Sequence, residues 1–156
     1  MRVHICAEGR LRSGPERSLI DDYVQRFDRT GRPLGLGPLT EHEVEDKRGG
    51  GMAAEAELLL RTVPTGAVMV VLDERGQVLS SPEFADKLAR WRDDGRQDVA
   101  FLIGGADGLD HSLRARSDFA LSFGRMVWPH MMVRAMLAEQ LYRAASILSG
   151  GPYHRV

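Results

Sequence analysis

Hydrophobic and polar positions along this chain follow two rhythms. The stretches "RVHICA" (2–7), "AVMVVLD" (67–73) and "DVAFLIGG" (98–105) read as strands. The second is continuously apolar and β-branched, which predicts a strand covered on both faces, as central parallel strands are. Between them the apolar residues fall at four-residue steps. Leu19, Tyr23 and Phe27, flanked by Ile20 and Val24, predict a helix over 15–27 that Pro15 starts. A glycine hinge feeds a second helix over 49–64, which Pro64 stops. A third covers 81–96, with Ser81 as N-cap, Pro82 in the first turn and Gly95 at the end. "LDHSLRARS" predicts a short helix, "FALSFGRMVWP" a strand and then a structured loop, and 130–151 a long final helix. The Gly- and Pro-bearing segment 29–46 reads as a loop with one short strand around Leu34 to Leu39, inside an excursion spanning 28–52. Strand and helix alternate, so the fold class is α/β with a mainly parallel sheet. No boundary interrupts it, and 1–156 is read as one domain.

The last helix departs from the amphipathic pattern of a surface helix. Met131, Met132, Val133, Ala135, Met136, Leu137, Leu141, Tyr142, Ile147 and Leu148 cannot all face one sheet. The surplus apolar surface calls for a second cover, which in a small domain is often another subunit. Arg134, Glu139 and Arg143 are charges within that helix and must pair or reach a site. Composition adds exclusions. With 21 Lys and Arg against 22 Asp and Glu, the chain lacks the basic excess of a free, sequence-blind nucleic-acid binder. It leaves room for an enzyme that meets RNA through a local patch. The single cysteine, Cys6, permits no disulfide within the chain and reads as a small core residue. With no signal-like or membrane-spanning run, a cytoplasmic location is expected.

Three glycine-bearing loops follow strands: "VLDERG", "IGGADG" and "SFGRMVWP". In open α/β sheets ligands gather at the carboxyl ends of strands, so these loops are candidates for one pocket. The pattern is neither GxGxxG nor GxxxxGK[ST], which argues against a dinucleotide-binding oxidoreductase. Asp73 is placed to bind a ribose or to cap a turn, and His130 sits at the entry of the last helix. No spacing suggests zinc, and no GxSxG or Cys–His arrangement suggests covalent catalysis. Phe84 and Trp91 read as core; Lys47 and Arg48 form a small basic spot before a glycine run. Spacing alone names no reaction.

The combined series "IGG…G", "WPH", "EQLYRA" and "PYHR" is more specific. From about Ala67 to Arg155, and more loosely from Met1 through the "KRG" at Lys47, the chain resembles the bacterial family that methylates a pseudouridine of 23S ribosomal RNA. That family is a minimal branch of the SPOUT class. The resemblance implies a parallel sheet sandwiched by helices with a C-terminal trefoil knot, a homodimer with each pocket completed by the partner chain, and S-adenosyl-L-methionine as cofactor. It maps cofactor contacts onto Leu72, Gly104, Gly105, Phe123, Gly124, Arg125, Met126, Val127 and Trp128. Val127 and Trp128 stand where Thr and Leu are frequent in the family. It makes His130, His154 and Arg155 the catalytic candidates, and Arg143, Tyr153, His154 and Arg155 the RNA-binding ones. Either His130 or His154 suits the role of proton acceptor by residue type. The expected partner is large-subunit ribosomal RNA within the assembled ribosome; no metal and no membrane are expected. The alternatives are a SPOUT enzyme with another RNA target and a non-catalytic ribosome-binding factor.

Overall fold

The structure is a computed structural model that describes residues 1–155. Its five parallel strands are β1 (Arg2–Glu8), β2 (Leu39–Val44), β3 (Val68–Val78), β4 (Asp98–Ile103) and β5 (Phe119–Ser122), ordered β2-β1-β4-β3-β5. The helices are α1 (Pro15–Gly31), α2 (Gly51–Thr62), α3 (Ser81–Asp93), α4 (His111–Arg116) and α5 (His130–Ser149).

Alternation along the strands sorts side chains onto two faces. Val3, Ile5, Val70, Phe101 and Ile103 pack with Phe27, Leu88, Leu137 and Leu141 of α1, α3 and α5. Cys6, Met69, Val71, Ala100 and Leu102 pack with Ala56, Leu59 and Leu113 of α2 and α4. Both faces of β1, β4 and the first half of β3 are therefore covered, which is why Val68–Leu72 and Val99–Ile103 run apolar without a break.

Three expectations change. The strand placed around Leu34 to Leu39 lies later, as β2, in register with β1 from Val3↔Leu39; Arg32–Leu34 form a 3-10 turn instead. The sequence of β2, "LTEHEV", looks unlike a strand because it is an edge whose acidic side chains serve Arg17 and Arg134. The N-cap of α3 is Ser80, not Ser81. Ser80 Oγ accepts from the Glu83 N–H (3.2 Å) while the Ser80 N–H donates to Glu83 (2.8 Å), and Ser81 donates across to Gln140 of α5 (2.7 Å). Finally β3 does not end at Leu72. Its register against β5 jumps from Leu72 to Gln77, so "DERG" is an irregularity within the strand rather than a terminal loop.

Candidate active site

A cavity of about 630 Å³ opens at the carboxyl end of β4 and beside the irregularity of β3 at Leu72–Arg75, bounded by the loop after β5 and the first turn of α5. Leu72, Gly104, Gly105, Phe123, Gly124, Met126, Val127, Trp128 and His130 all line it. Arg125 belongs to the same loop but is exposed and outside the lining.

Each loop is held by its own contacts. A Cβ on Gly104 would lie 2.5 Å from the carbonyl oxygen of Gly108, so only glycine permits the close crossing there. The Gly108 N–H donates to the Gly105 carbonyl (3.0 Å) and closes the turn. Ser122, which the sequence did not single out, anchors the third loop. Its Oγ accepts from the Gly124 N–H (3.0 Å) and lies within hydrogen-bond distance of the Gly124 and Glu74 carbonyls (2.9 and 3.0 Å). The loop beyond it is apolar and open, with Met126, Val127 and Trp128 exposed. A cavity of this volume, with an apolar wall from the third loop, glycine backbone opposite and Asp73, Glu74, Arg75, Asp107 and His130 around it, fits a small organic cofactor with polar groups.

Asp73 borders the cavity but is already committed. It accepts from the Arg75 N–H (2.9 Å) and pairs with Arg114 (3.1 Å). Burial works to raise its carboxyl, yet the Arg75 hydrogen bonds and the Arg114 charge hold it below the usual aspartate value. Its role is to tie β3 to α4, and the ribose-binding reading loses its free acceptor. His130 is half-buried; burial, and then the charge of Arg134, lower its pKa. Its imidazole is thus neutral near pH 7 and able to accept a proton.

Arg134 is fully buried. It donates to Glu41 (2.9 Å), Glu43 (2.6 Å) and the Gly9 carbonyl (3.1 Å). Arg17 joins the same carboxylates, and Glu43 accepts from the Leu11 N–H (2.7 Å). This network pins the turn after β1 beside His130, whose Nε2 lies 3.8 Å from an ideal Cβ on Gly9.

The remaining candidates cluster at the other end of α5. Tyr153 donates to Glu139 (3.0 Å), lies 3.3 Å from the Tyr23 hydroxyl, and packs on the Tyr142 ring at 4.6 Å. Arg143 pairs with Glu139 (2.6 Å), stands over the Tyr153 ring (4.8 Å) and reaches His154 Nδ1 (3.2 Å). Burial first, then the bonds to Tyr23 and Glu139, raise the Tyr153 phenol, which stays protonated. Arg155 is exposed. In the sequence Tyr23 reads only as a helix-face apolar residue; the i, i+4 spacing of Glu139 and Arg143 is the signal for this cluster. His130 and Arg143 stand about 20 Å apart along the helix axis at 1.5 Å per residue, so one chain does not bring them together.

Between the two clusters lies an apolar groove of about 710 Å³, lined by Leu19, Tyr23, Val78, Phe123, Met132 and Met136 among others. Leu19, Val78 and Met132 are exposed in it. Phe84 and Trp91 pack in or against the core, and Lys47 and Arg48 are exposed. The Cys6 thiol is pushed up to about 11 by burial, which removes it as a nucleophile. Among the described residues no group of three metal-ligating side chains forms, and no helix is long and apolar enough to cross a membrane.

A parallel sheet with glycine-rich loops at its carboxyl edge is the setting in which this chain meets known proteins. The family described as "Predicted SPOUT methyltransferase" matches residues 1–154, and the chain belongs to that family. Within it, the chain is 71% identical over 156 residues to the ribosomal RNA large subunit methyltransferase H of Ruegeria sp. (strain TM1040), covering 100% of both. It is 70% identical over the same span to the protein of that name from Ruegeria pomeroyi, again covering 100% of both. A solved structure described as a probable methylase family protein from Haemophilus influenzae shares the fold, at TM-score 0.51 and 14% identity over 99% of this chain and 70% of that one.

Proposed function

We propose that this chain methylates N3 of a pseudouridine in 23S ribosomal RNA, on assembled ribosomes in the cytoplasm, as a homodimer. Residues 1–156 act as one SPOUT domain. The observation that carries the reading is the division of α5. A cofactor-sized cavity with a neutral imidazole stands at its first turn, an aromatic and cationic cluster at its last, and an uncovered apolar groove lies between. A second copy seated in the groove covers Leu19, Val78 and Met132 and carries its "PYHR" tail to the first copy's cavity.

The loops after β4 and β5 are read as the crossing connections of a trefoil knot. The strand order supports this, because the chain passes from β4 over β3 to β5 and then returns to enter α5. S-adenosyl-L-methionine, the methyl donor, supplies the methyl group on a sulfonium. Leu72, Gly104 and Gly105 hold one side of it; Phe123, Gly124, Met126, Val127 and Trp128 form the apolar wall. His130 takes the N3 proton as the nitrogen–methyl bond forms and the sulfur–methyl bond breaks. His154 is the other acceptor the tail offers. Tyr153 stacks on the base, and Arg143 and Arg155 bind phosphate. The near-zero net charge supports the assembled ribosome as substrate, since a dimer of this composition holds free RNA weakly.

The test is methyl transfer from labelled cofactor to ribosomes lacking the modification, with the nucleotide mapped by mass spectrometry. Methylation of one pseudouridine is expected, with protein-free RNA a poor substrate. Label elsewhere in the RNA moves the reading to another target; ribosome association without transfer moves it to a binding factor. The shared site has its own test. Chains carrying His130→Ala and chains ending at Gly151 are each expected to be inactive. Mixed and exchanged, they recover about a quarter of wild-type activity, because half of the dimers are mixed and each holds one complete site. No recovery would show that the tail serves its own chain.

A further inference from the structure

All three tyrosines of the chain meet at one place, although 130 residues separate the first from the last. Tyr23 comes from α1, Tyr142 from α5 and Tyr153 from the segment after it. The Tyr142 ring centroid lies 6.1 Å from that of Tyr23 and 4.6 Å from that of Tyr153. Two guanidinium groups rest on these rings. Arg143 stands over Tyr153 at 4.8 Å. Arg26 sits at the seam of the other two, 5.7 Å from the Tyr23 centroid and 5.8 Å from that of Tyr142. It is brought there by its i, i+3 spacing from Tyr23 along α1.

The two arginines differ in what they have left to give. Arg143 spends every nitrogen inside the chain. Its Nε and one terminal nitrogen donate to Glu139 (2.9 and 2.6 Å), and the other terminal nitrogen is 3.2 Å from His154 Nδ1. It must give up one of these bonds to grip an anion. Arg26 pairs through Nε with Asp22 (3.1 Å), and the two side chains are 44% and 51% exposed. A pair so exposed holds weakly. Among the described residues no group other than Asp22 partners the Arg26 guanidinium in an ion pair or hydrogen bond. Its contacts with the rings fix it in place without using an N–H. Arg26 also lies outside the apolar groove, whose lining on α1 runs from Pro15 to Tyr23. A second copy seated in that groove leaves Arg26 open.

We propose that Arg26, with Tyr23 and Tyr142 as its platform, binds a phosphate of the ribosomal RNA strand that carries the target base. The proposal rests on the tail cluster meeting RNA, as read above, and extends that contact from α5 onto α1. A phosphate suits the group because two terminal N–H donors in one plane match two of its oxygens. Such a contact sets where the strand lies and carries no sequence information. Arg26 takes no part in the proton or methyl transfer.

The test uses the full-length protein and ribosomes lacking the modification, with wild type measured alongside. Arg26→Gln keeps the aliphatic stem over the rings and removes the charge; Arg26→Lys keeps the charge and removes the fork. Arg26→Gln is expected to raise KM for ribosomes about 10-fold, the size of one charge-assisted hydrogen bond. It is also expected to flatten the slope of log affinity against log salt, read by cosedimentation with ribosomes, by about 0.7 to 0.9, one phosphate contact. Arg26→Lys should keep the wild-type slope and raise KM less. Both variants should match wild type in calorimetric affinity for S-adenosylmethionine and in sedimentation. An unchanged KM, or a raised KM with an unchanged salt slope, in Arg26→Gln would overturn the proposal and leave methyl transfer standing. Altered sedimentation would overturn it too, by assigning Arg26 to the subunit contact. Ribosomes that wild type neither binds nor methylates would overturn the function proposed above, and this contact with it.

Discussion

Gly104 carries a sharp steric constraint at the candidate site. Its absent Cβ would sit 2.5 Å from the Gly108 backbone, which has no flexible end to yield. Gly104→Ala is expected to cost about 1–3 kcal/mol by overpacking and to weaken adenosine binding, measured by urea unfolding and by titration with 5′-methylthioadenosine. Arg134 is a second constraint, of charge. Replacing it with Met removes the cation between Glu41 and Glu43 and is expected to cost about 3 kcal/mol, read as a lower urea midpoint at pH 7. Asp98 gives a pH signature. The Arg2 guanidinium (2.8 and 2.9 Å), and after it His4 (2.8 Å), hold its carboxyl below the usual aspartate value against the pull of burial. Its contribution is therefore complete above the unfolded-state pKa of about 3.9 and fades as pH falls toward the native value. Urea midpoints of wild type and Asp98→Asn should differ at pH 7, and the gap should narrow as pH falls below about 4; a constant gap would rule out the carboxylate as the source.

At the scale of elements, α3 and α5 show local rules serving the site. The reciprocal bonds of Ser80 and Glu83 start α3, so Ser80→Ala is expected to cost about 1 kcal/mol in thermal or urea unfolding. Ser81→Ala leaves that cap whole and removes only the bond to Gln140. The helix α5 has a different task. Leu137, Ala138, Leu141, Ala144 and Ala145 bury one face, while Met132 and Met136 turn to the groove. One helix thus carries both clusters, His130 at its first turn and Glu139 and Arg143 near its last, which fixes their separation.

At the scale of the whole molecule, the groove is the feature to test. Met132→Glu places a charge on its exposed apolar floor and is expected to give a monomer by sedimentation, with the fold retained by circular dichroism and methyl transfer lost. A stable dimer of that variant would move the interface elsewhere.

The sequence by itself determined the α/β alternation, the buried strands, the long apolar last helix and the three glycine-bearing loops around the cavity. Each of these rests on local periodicity or on a motif, because a covered strand must be apolar and a tight loop must hold glycine. It placed β2 too early, because the side chains of the true strand look polar until Arg17 and Arg134 are brought to Glu41 from 24 and 93 residues away. It did not show that "DERG" stays within β3, since the register jump is decided by pairing with β5. Nor did it show that Asp73 is taken by Arg114, that Ser122 anchors the third loop, or that Glu8 Oε2 is buried without a partner. Those are facts of partnership. A charge or hydroxyl has no fixed role until the fold supplies or withholds its partner, and only the tertiary structure decides which.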